Sequence, residues 1–270
     1  MLDAVRDFFS RMLALSNESR PKTIFVAVAL CLVCSIIVSM AAVFLKPQQL
    51  ANKALDKKHN ILEVAGLMQE GKSMEELFAG IEAKIVDLQT GEYVTDLDVS
   101  TYDQRRAARD PSQNVMIESG DDIANIHARA RYATVYLVKD GEQTDKVILP
   151  VHGYGLWSTM YGFVALEEDA NTVYGLRFYE HAETPGLGGE VDNAKWRAQW
   201  RGKKLFDESG TIRIDVVQGN VDGSSPDAVY KVDGLSGATL TSRGVENLLR
   251  YWMGAGGFRP YLDRLRQQHG

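Results

Sequence analysis

With 270 residues, 45% of them apolar and 24% charged, the chain has an ordinary globular composition and length for one or two domains. A net charge of −6 excludes a nucleic-acid partner, because a phosphate backbone demands a basic face. Both cysteines, Cys31 and Cys34, fall inside one apolar run, so the rest of the chain can fold in an oxidising compartment with no disulfide to form.

Residues 1–22 begin with an amphipathic pattern. Val5, Phe8, Phe9, Met12 and Leu13 lie on one side and Asp3, Arg6, Asp7 and Arg11 on the other, which suits a short helix on a membrane surface or docked on a partner. Residues 23–45 carry no charge and only Thr23, Ser35 and Ser39 as hydroxyl side chains. At about 1.5 Å per residue this run crosses the hydrocarbon core of a bilayer. Small residues around Ser39 and Ala41 also suit a cleaved signal peptide, but the run is longer than an apolar signal segment of roughly 7–15 residues, so the sequence predicts a retained single-pass anchor. Cys31 and Cys34 spell C-x-x-C, yet the run lacks the two further ligands of a zinc or iron–sulfur site. Small packing residues are the simpler reading, and a cluster shared with a neighbouring subunit stays open. Arg20 and Lys22 precede the run and Lys46, Lys53, Lys57 and Lys58 follow it, so basic flanks do not fix its orientation.

Residues 46–130 form a helical connector and the first part of the following domain. From Lys46 to about Ile85 the apolar spacing predicts helix, with Ser73 and Glu76 spelling a capping box before Leu77 and Phe78. Residues 86–125 are polar and aperiodic, and Asp121-Asp122 reads as a solvated turn. Residues 131–270 read as a domain rich in strands. Tyr132–Val138 and Lys146–Leu149 flank the turn signal Asp140-Gly141 as a hairpin, and Met160–Leu166, Thr172–Tyr179, Thr211–Val217 and Ala228–Val232 follow. Trp196 and Trp200 fall four apart on a short helix packed on the sheet. Strands in a run, then helix, without regular alternation predict an α+β domain behind the single anchor.

The stretch with chemical promise is Ser236-Gly237-Ala238-Thr239-Leu240-Thr241-Ser242. Val245, Leu248, Leu249 and Trp252 predict a helix starting near Ser242, stopped by Gly254-Ala255-Gly256-Gly257. Four hydroxyls thus crowd one helix mouth, where unpaired N–H groups and the helix dipole favour a phosphate. On spacing alone an ordinary hydroxyl N-cap remains open.

Asp233 with Ser236-Gly237-Ala238-Thr239 fits D-x-x-[S/T]-G-A-T, the pattern at which FMN is joined through its phosphate to the last Thr in membrane-bound flavoproteins. Together with Gly155-Leu156-Trp157, Glu183-Thr184-Pro185-Gly186-Leu187-Gly188-Gly189 and the anchor, it makes nearly the whole chain resemble the FMN-binding C-type subunits of Na+-translocating NADH:quinone reductases. The resemblance implies a covalent FMN on Thr239, with Asp233 in the flavinylation motif and Ser236, Gly237, Ala238, Leu240 and Thr241 around the phosphate. It further implies that Leu156, Trp157, Thr184, Leu187 and Gly188 line the ring. Gly186-Leu187-Gly188-Gly189 is no dinucleotide loop, because its glycines are misplaced and no helix plainly follows, so NAD binds elsewhere. His181 and Glu183 beside it read as loop hydrogen-bonding groups rather than as a proton relay. No metal site and no catalytic residue is expected.

What the resemblance implies for function is an electron-transfer subunit in the cytoplasmic (inner) membrane with its domain on the periplasmic side. Its expected partners are an iron–sulfur donor, a flavin-bearing membrane subunit and a flavin transferase. Two rival readings are the G-type subunit of a related ion-translocating ferredoxin:NAD oxidoreductase, which resembles this chain in anchor and motif, and a non-redox membrane-anchored binding module.

Overall fold

The computed structural model describes residues 6–269 apart from 8, 9, 13, 18 and 142. Val5, Phe8, Phe9 and Leu13, the core of the predicted amphipathic face, lie outside the described residues. The chain divides into a unit ending at Asp56 and a compact unit beginning at Lys57. The first contains most of one long helix, α1 (Arg20–Val64), which is long and apolar enough to cross a membrane. Ile24, Leu30, Ile36, Val43 and Phe44 are all exposed on it, as side chains meant for lipid rather than for protein would be. Cys31 and Cys34 are free thiols, also exposed on α1.

The second unit is built on a six-stranded antiparallel sheet ordered β2-β1-β5-β6-β7-β8. Its strands are β1 (Ile81–Asp87), β2 (Tyr93–Val94), β5 (Tyr132–Asp140), β6 (Gln143–Tyr154), β7 (Thr159–Glu167) and β8 (Val173–Glu180). A small ladder of β3 (Asn114–Met116) and β4 (Ala128–Ala130) lies outside it. The predicted hairpin and the two strands after it therefore form as expected. Side chains alternate between the two faces, as the period of two requires. Tyr136, Val138, Ile148, Phe163 and Ala165 meet Ile61, Leu62 and Val64 from the end of α1. Val135, Leu137, Val147, Leu149, Val164 and Leu166 meet Val245, Leu248, Leu249 and Trp252. The last four belong to α5 (Thr239–Met253), which follows the short α3 (Gln104–Ala107) and α4 (Ala194–Ala198) in the chain and whose apolar stripe covers that second face. With both faces buried, the central strands read as continuous apolar runs.

Five local expectations need correction. Helix does not continue to Ile85: a short α2 (Met74–Phe78), opened by the predicted Ser73–Glu76 capping box, is followed directly by β1. Ile81, Ala83 and Ile85 satisfy a period of two as well as a spacing of four, and a seven-residue ladder from Ile81↔Val138 to Asp87↔Tyr132 decides for strand. Strand at Thr211–Val217 shrinks to β9 (Asp215–Val217), and Ala228–Tyr230 is part of a 3-10 turn, Pro226–Tyr230, ahead of β10 (Lys231–Asp233). Ser225 accepts from the Asp227 N–H and Pro226 fits the first position, so local capping outweighs β propensity. Asp122 is not a solvated turn residue: its carboxylate is turned inward and accepts the N–H groups of Ile126 and His127. The last correction, to the start of α5, concerns the site itself.

His152 sits where the sheet meets α5. Its ring stacks on Tyr161 with centroids 5.3 Å apart and lies 4.9 Å from Trp252, while the Arg105 guanidinium covers the Tyr161 ring at 3.5 Å. Burial, reinforced by the Arg105 charge, pushes its pKa from 6.5 down to about 4. Between these values the unfolded chain binds a proton that the folded chain refuses. Stability is therefore complete above about pH 6.5 and falls on acidification, by about 2 kcal/mol from pH 7 to pH 5 and about 3 kcal/mol by pH 4. Urea unfolding at pH 7 and pH 5 should show this loss in the wild type and a much smaller one in His152→Phe, which keeps the stack. Equal losses in both would remove His152 as the cause.

Candidate functional site

Three stretches meet at one end of the sheet: the β6–β7 turn, the Glu183–Gly189 loop and the mouth of α5. The last is set up by Asp233, the end of β10. Its N–H donates to Gln199 Oε1 (3.1 Å), its carbonyl accepts from the Trp196 indole (2.8 Å) and its carboxylate accepts the Val221 N–H (2.7 Å). The motif aspartate thus acts as an anchor for the turn. Leu235 and Ala238 are buried and Ser236 and Gly237 are exposed between them, so the chain arches outward before the helix begins. Gly237 makes the arch with φ +71°, and a Cβ there would also stand 3.0 Å from Leu187 Cδ2.

The helix begins at Thr239, three residues earlier than the spacing predicts, because the first turn is polar and carries no periodic apolar signal. Its N-cap is Ala238, which offers no side-chain hydrogen bond. The first-turn N–H groups therefore remain available to an anion, and the ordinary hydroxyl cap is ruled out. The four hydroxyls divide into two pairs. Thr241 is fully buried and donates to Glu183 Oε2 (2.7 Å), while Ser242, also buried, accepts the Leu235 N–H (2.9 Å). Ser236 and Thr239 are exposed.

Glu183 joins the three stretches. It is buried, and its Oε1 accepts the backbone N–H groups of Leu156 and Trp157, both at 3.0 Å. Burial pushes its pKa up, but hydrogen bonds from Thr241 and from the backbone of Trp157, Leu156 and Ser158 outweigh it and hold the carboxyl below its ordinary value. From this residue the loop turns over Thr184, whose carbonyl accepts the N–H groups of Leu187 and Gly189. Gly188 then passes so close to α5 that a Cβ would stand 2.5 Å from Thr241 Oγ1. His181 precedes the loop and bonds Asp192 (2.9 Å), which raises its pKa. Its Nδ1 accepts the Glu183 N–H, so both residues are structurally satisfied.

Around this node five apolar side chains stay open to solvent: Tyr154, Leu156, Trp157, Leu187 and Leu240 are between 38% and 63% exposed. So many large apolar groups left uncovered beside buried neighbours make a shelf for a flat apolar ligand. An uncapped helix mouth with two free hydroxyls next to such a shelf fits a flavin nucleotide, phosphate at the first and ring on the second. The contacts of Glu183, Gly188 and Gly237 thus bring the stretches that carry Leu156, Trp157, Leu187 and Gly188 up to the turn from Asp233 to Thr241, while the Thr184 carbonyl holds its own loop. Tyr154 and Gly244 were not foreseen. Gly244 lets α5 approach so closely that a Cβ would stand 2.6 Å from the Tyr154 carbonyl, and only the tertiary contact reveals it. Among the described residues, no group of His, Cys, Asp and Glu side chains could hold a metal ion.

The FMN-binding domain family matches residues 155–254, which take in all three stretches apart from Tyr154. The C-type subunit of the Na(+)-translocating NADH-quinone reductase from Pseudomonas aeruginosa is 50% identical over 93% of this chain and 98% of its own length. The corresponding protein from Vibrio vulnificus is 54% identical over 93% of this chain and 97% of its own. Among solved structures, NqrC of Shewanella oneidensis matches with TM-score 0.74 and 35% identity, covering 80% of this chain and 99% of that one. The C-type subunit from Parabacteroides distasonis matches with TM-score 0.60 and 29% identity, covering 81% and 96%. The α+β fold with its long N-terminal helix, the helix-mouth site and these full-length relatives agree: the chain belongs to the family of C-type subunits of Na(+)-translocating NADH-quinone reductases.

Proposed function

We propose that this chain carries FMN as a phosphoester on Thr239 and relays electrons within a membrane-bound, sodium-pumping NADH:quinone reductase. The observation that supports the attachment point is the division of hydroxyls at the mouth of α5: Thr241 and Ser242 are buried and committed, whereas Thr239 is exposed at the first helical position. Ser236 shares the exposure but precedes the N-cap Ala238 and lies outside the helix. When bound, FMN supplies one- and two-electron redox chemistry. The chain's part is to hold the phosphate at the α5 N–H groups, to seat the ring against Leu156, Trp157, Leu187 and Leu240, and to keep water off the face they cover. Because a phosphoester lies far from the ring's conjugated system, tuning falls to burial, charge and hydrogen bonds around the ring.

The relay reading places an iron–sulfur centre upstream and the flavin of a neighbouring membrane subunit downstream, with a flavin transferase acting once during maturation. The apolar length of α1 supports an anchor in the cytoplasmic membrane, and the lack of cysteine beyond Cys34 suits a domain on the periplasmic side. The test is to express the full chain with and without the transferase, then apply denaturing electrophoresis under ultraviolet light and intact-mass analysis. A fluorescent band and one added FMN-sized mass, both dependent on the transferase, are expected. A bare polypeptide made together with the transferase defeats the reading. For topology, external protease should digest the domain in intact spheroplasts; digestion only after lysis reverses the orientation.

A further inference from the structure

Glu183 is the buried ionisable group that the attachment chemistry leaves without a task. Its carboxylate accepts one hydroxyl, from Thr241, and backbone N–H groups of the β6–β7 turn, those of Leu156 and Trp157 among them; these donors come from two of the stretches that build the site, while the residue itself heads the third. The surroundings are shaped to its two oxygens. A Cβ on Gly155 would stand 2.6 Å from Oε1 and one on Gly188 2.8 Å from Oε2, so the chain passes both oxygens where only glycine fits. Among the described residues no Lys or Arg forms an ion pair with it. The nearby titratable group is His181, which accepts the Glu183 N–H at Nδ1 and is itself held by Asp192. Burying a carboxylate is costly, and here dipoles rather than a counter-charge offset the cost.

We infer that Glu183 is a positioning residue with two effects on the flavin seat: it clamps the β6–β7 turn, the Thr184–Gly189 loop and α5 into one rigid receptor, and it fixes a negative charge directly behind Leu156 and Trp157. The second effect has a definite sign. Electrons added to a ring resting on that turn approach a carboxylate that, among the described residues, no Lys or Arg pairs with, and His181 meets the residue only at its N–H, through a neutral Nδ1, so Glu183 lowers the reduction potential. This inference rests on the flavin reading above for the charge, but not for the clamp, which is a property of the protein alone.

Three variants of the full-length chain separate the effects. In Glu183→Gln the amide oxygen still accepts from Leu156 and Trp157 and the amide N–H donates to Thr241 Oγ1, so the clamp survives without the charge. In Glu183→Ala both are lost, and Thr241→Val removes only the bond to α5. The clamp is read in detergent on chain made without the transferase, by hydrogen exchange of the Leu156 and Trp157 amides. We expect exchange at least ten-fold faster in Glu183→Ala, and near wild-type rates in Glu183→Gln. Thr241→Val, the milder change because it keeps the side-chain volume and leaves the two backbone bonds of Glu183 in place, should lie between them. Wild-type rates in the folded alanine variant, or in Thr241→Val if the alanine variant fails to fold, overturn the clamp. The charge is read by potentiometric titration of chain made with the transferase. Glu183→Gln should load flavin as the wild type does and titrate at a higher potential; an unchanged or lower potential overturns the charge effect. If wild-type chain takes up no flavin, the proposed function fails and the charge effect with it, while the exchange rates still decide the clamp.

Discussion

Thr239→Ala is expected to abolish covalent flavin while leaving the fold intact. Thr239 is the first residue of α5 and is exposed, and its side chain caps nothing, so its loss changes stability by no more than about 0.5 kcal/mol. The other hydroxyls at the helix mouth should respond differently. Ser242→Ala strands the buried Leu235 N–H and costs about 1–3 kcal/mol, lowering flavin loading only as far as it loosens the turn. Thr241→Ala frees one oxygen of Glu183 and creates a small void, again without removing the attachment point. Ser236→Ala should load fully. Thr239→Ser keeps an oxygen at the same place and should retain part of the loading. The measurement is in-gel flavin fluorescence on chains co-expressed with the transferase, beside thermal melting of each variant. Native-level fluorescence in Thr239→Ala, or its loss in Ser236→Ala with Thr239 intact, would move the attachment point. No mixture of stability effects mimics the expected pattern, because the variant with the least structural consequence is the one that should go dark.

That pattern could be anticipated only in part from the residues. The apolar run of α1, the β5–β6 hairpin, β7 and β8 are legible because each is set by a periodicity or an uninterrupted apolar stretch that the bilayer or the two-sided sheet then uses directly. The start of α5 was misplaced because Thr239, Leu240 and Thr241 carry no helical apolar pattern, and the early start is held by tertiary bonds from Leu235 and Glu183. β1 was misread because Ile81 and Ile85 satisfy two periods at once, and a partner strand far along the chain, Tyr132–Val138, chooses between them. Of the candidate site, resemblance points to the motif residues from Asp233 to Thr241 and the loop from Thr184 to Gly188. The role of Glu183 as their junction is not legible there, since the donors that hold it lie far along the chain, in the β6–β7 turn and at Thr241. Local sequence shows which groups a site contains; the partners that hold those groups still lie on other elements.

Trp252→Ala is expected to be among the most damaging single substitutions in the domain, destabilising it by about 3–5 kcal/mol. Trp252 is fully buried in the last turn of α5, with ring centroids 4.9 Å from His152, 5.5 Å from Tyr251 and 5.4 Å from Phe258. Its indole N–H donates to the His152 carbonyl (2.6 Å), which pins the helix to β6. Alanine would leave a cavity that the sheet below, packed on both faces, cannot collapse to fill. Against a total of about 5–15 kcal/mol for a domain, this is a third or more of the stability. The candidate flavin site lies about 20 Å away at the other end of the same helix. Flavin loading should therefore fall in proportion to the folded fraction, with the potential unchanged in whatever chain remains folded. Trp252→Phe keeps most of the packing, loses the one hydrogen bond and should cost about 1–2 kcal/mol. Chemical denaturation with circular dichroism measures both losses. A wild-type midpoint in Trp252→Ala would mean that α5 is not held to the sheet through this contact, and the rigid helix mouth that presents Thr239 would then need another support.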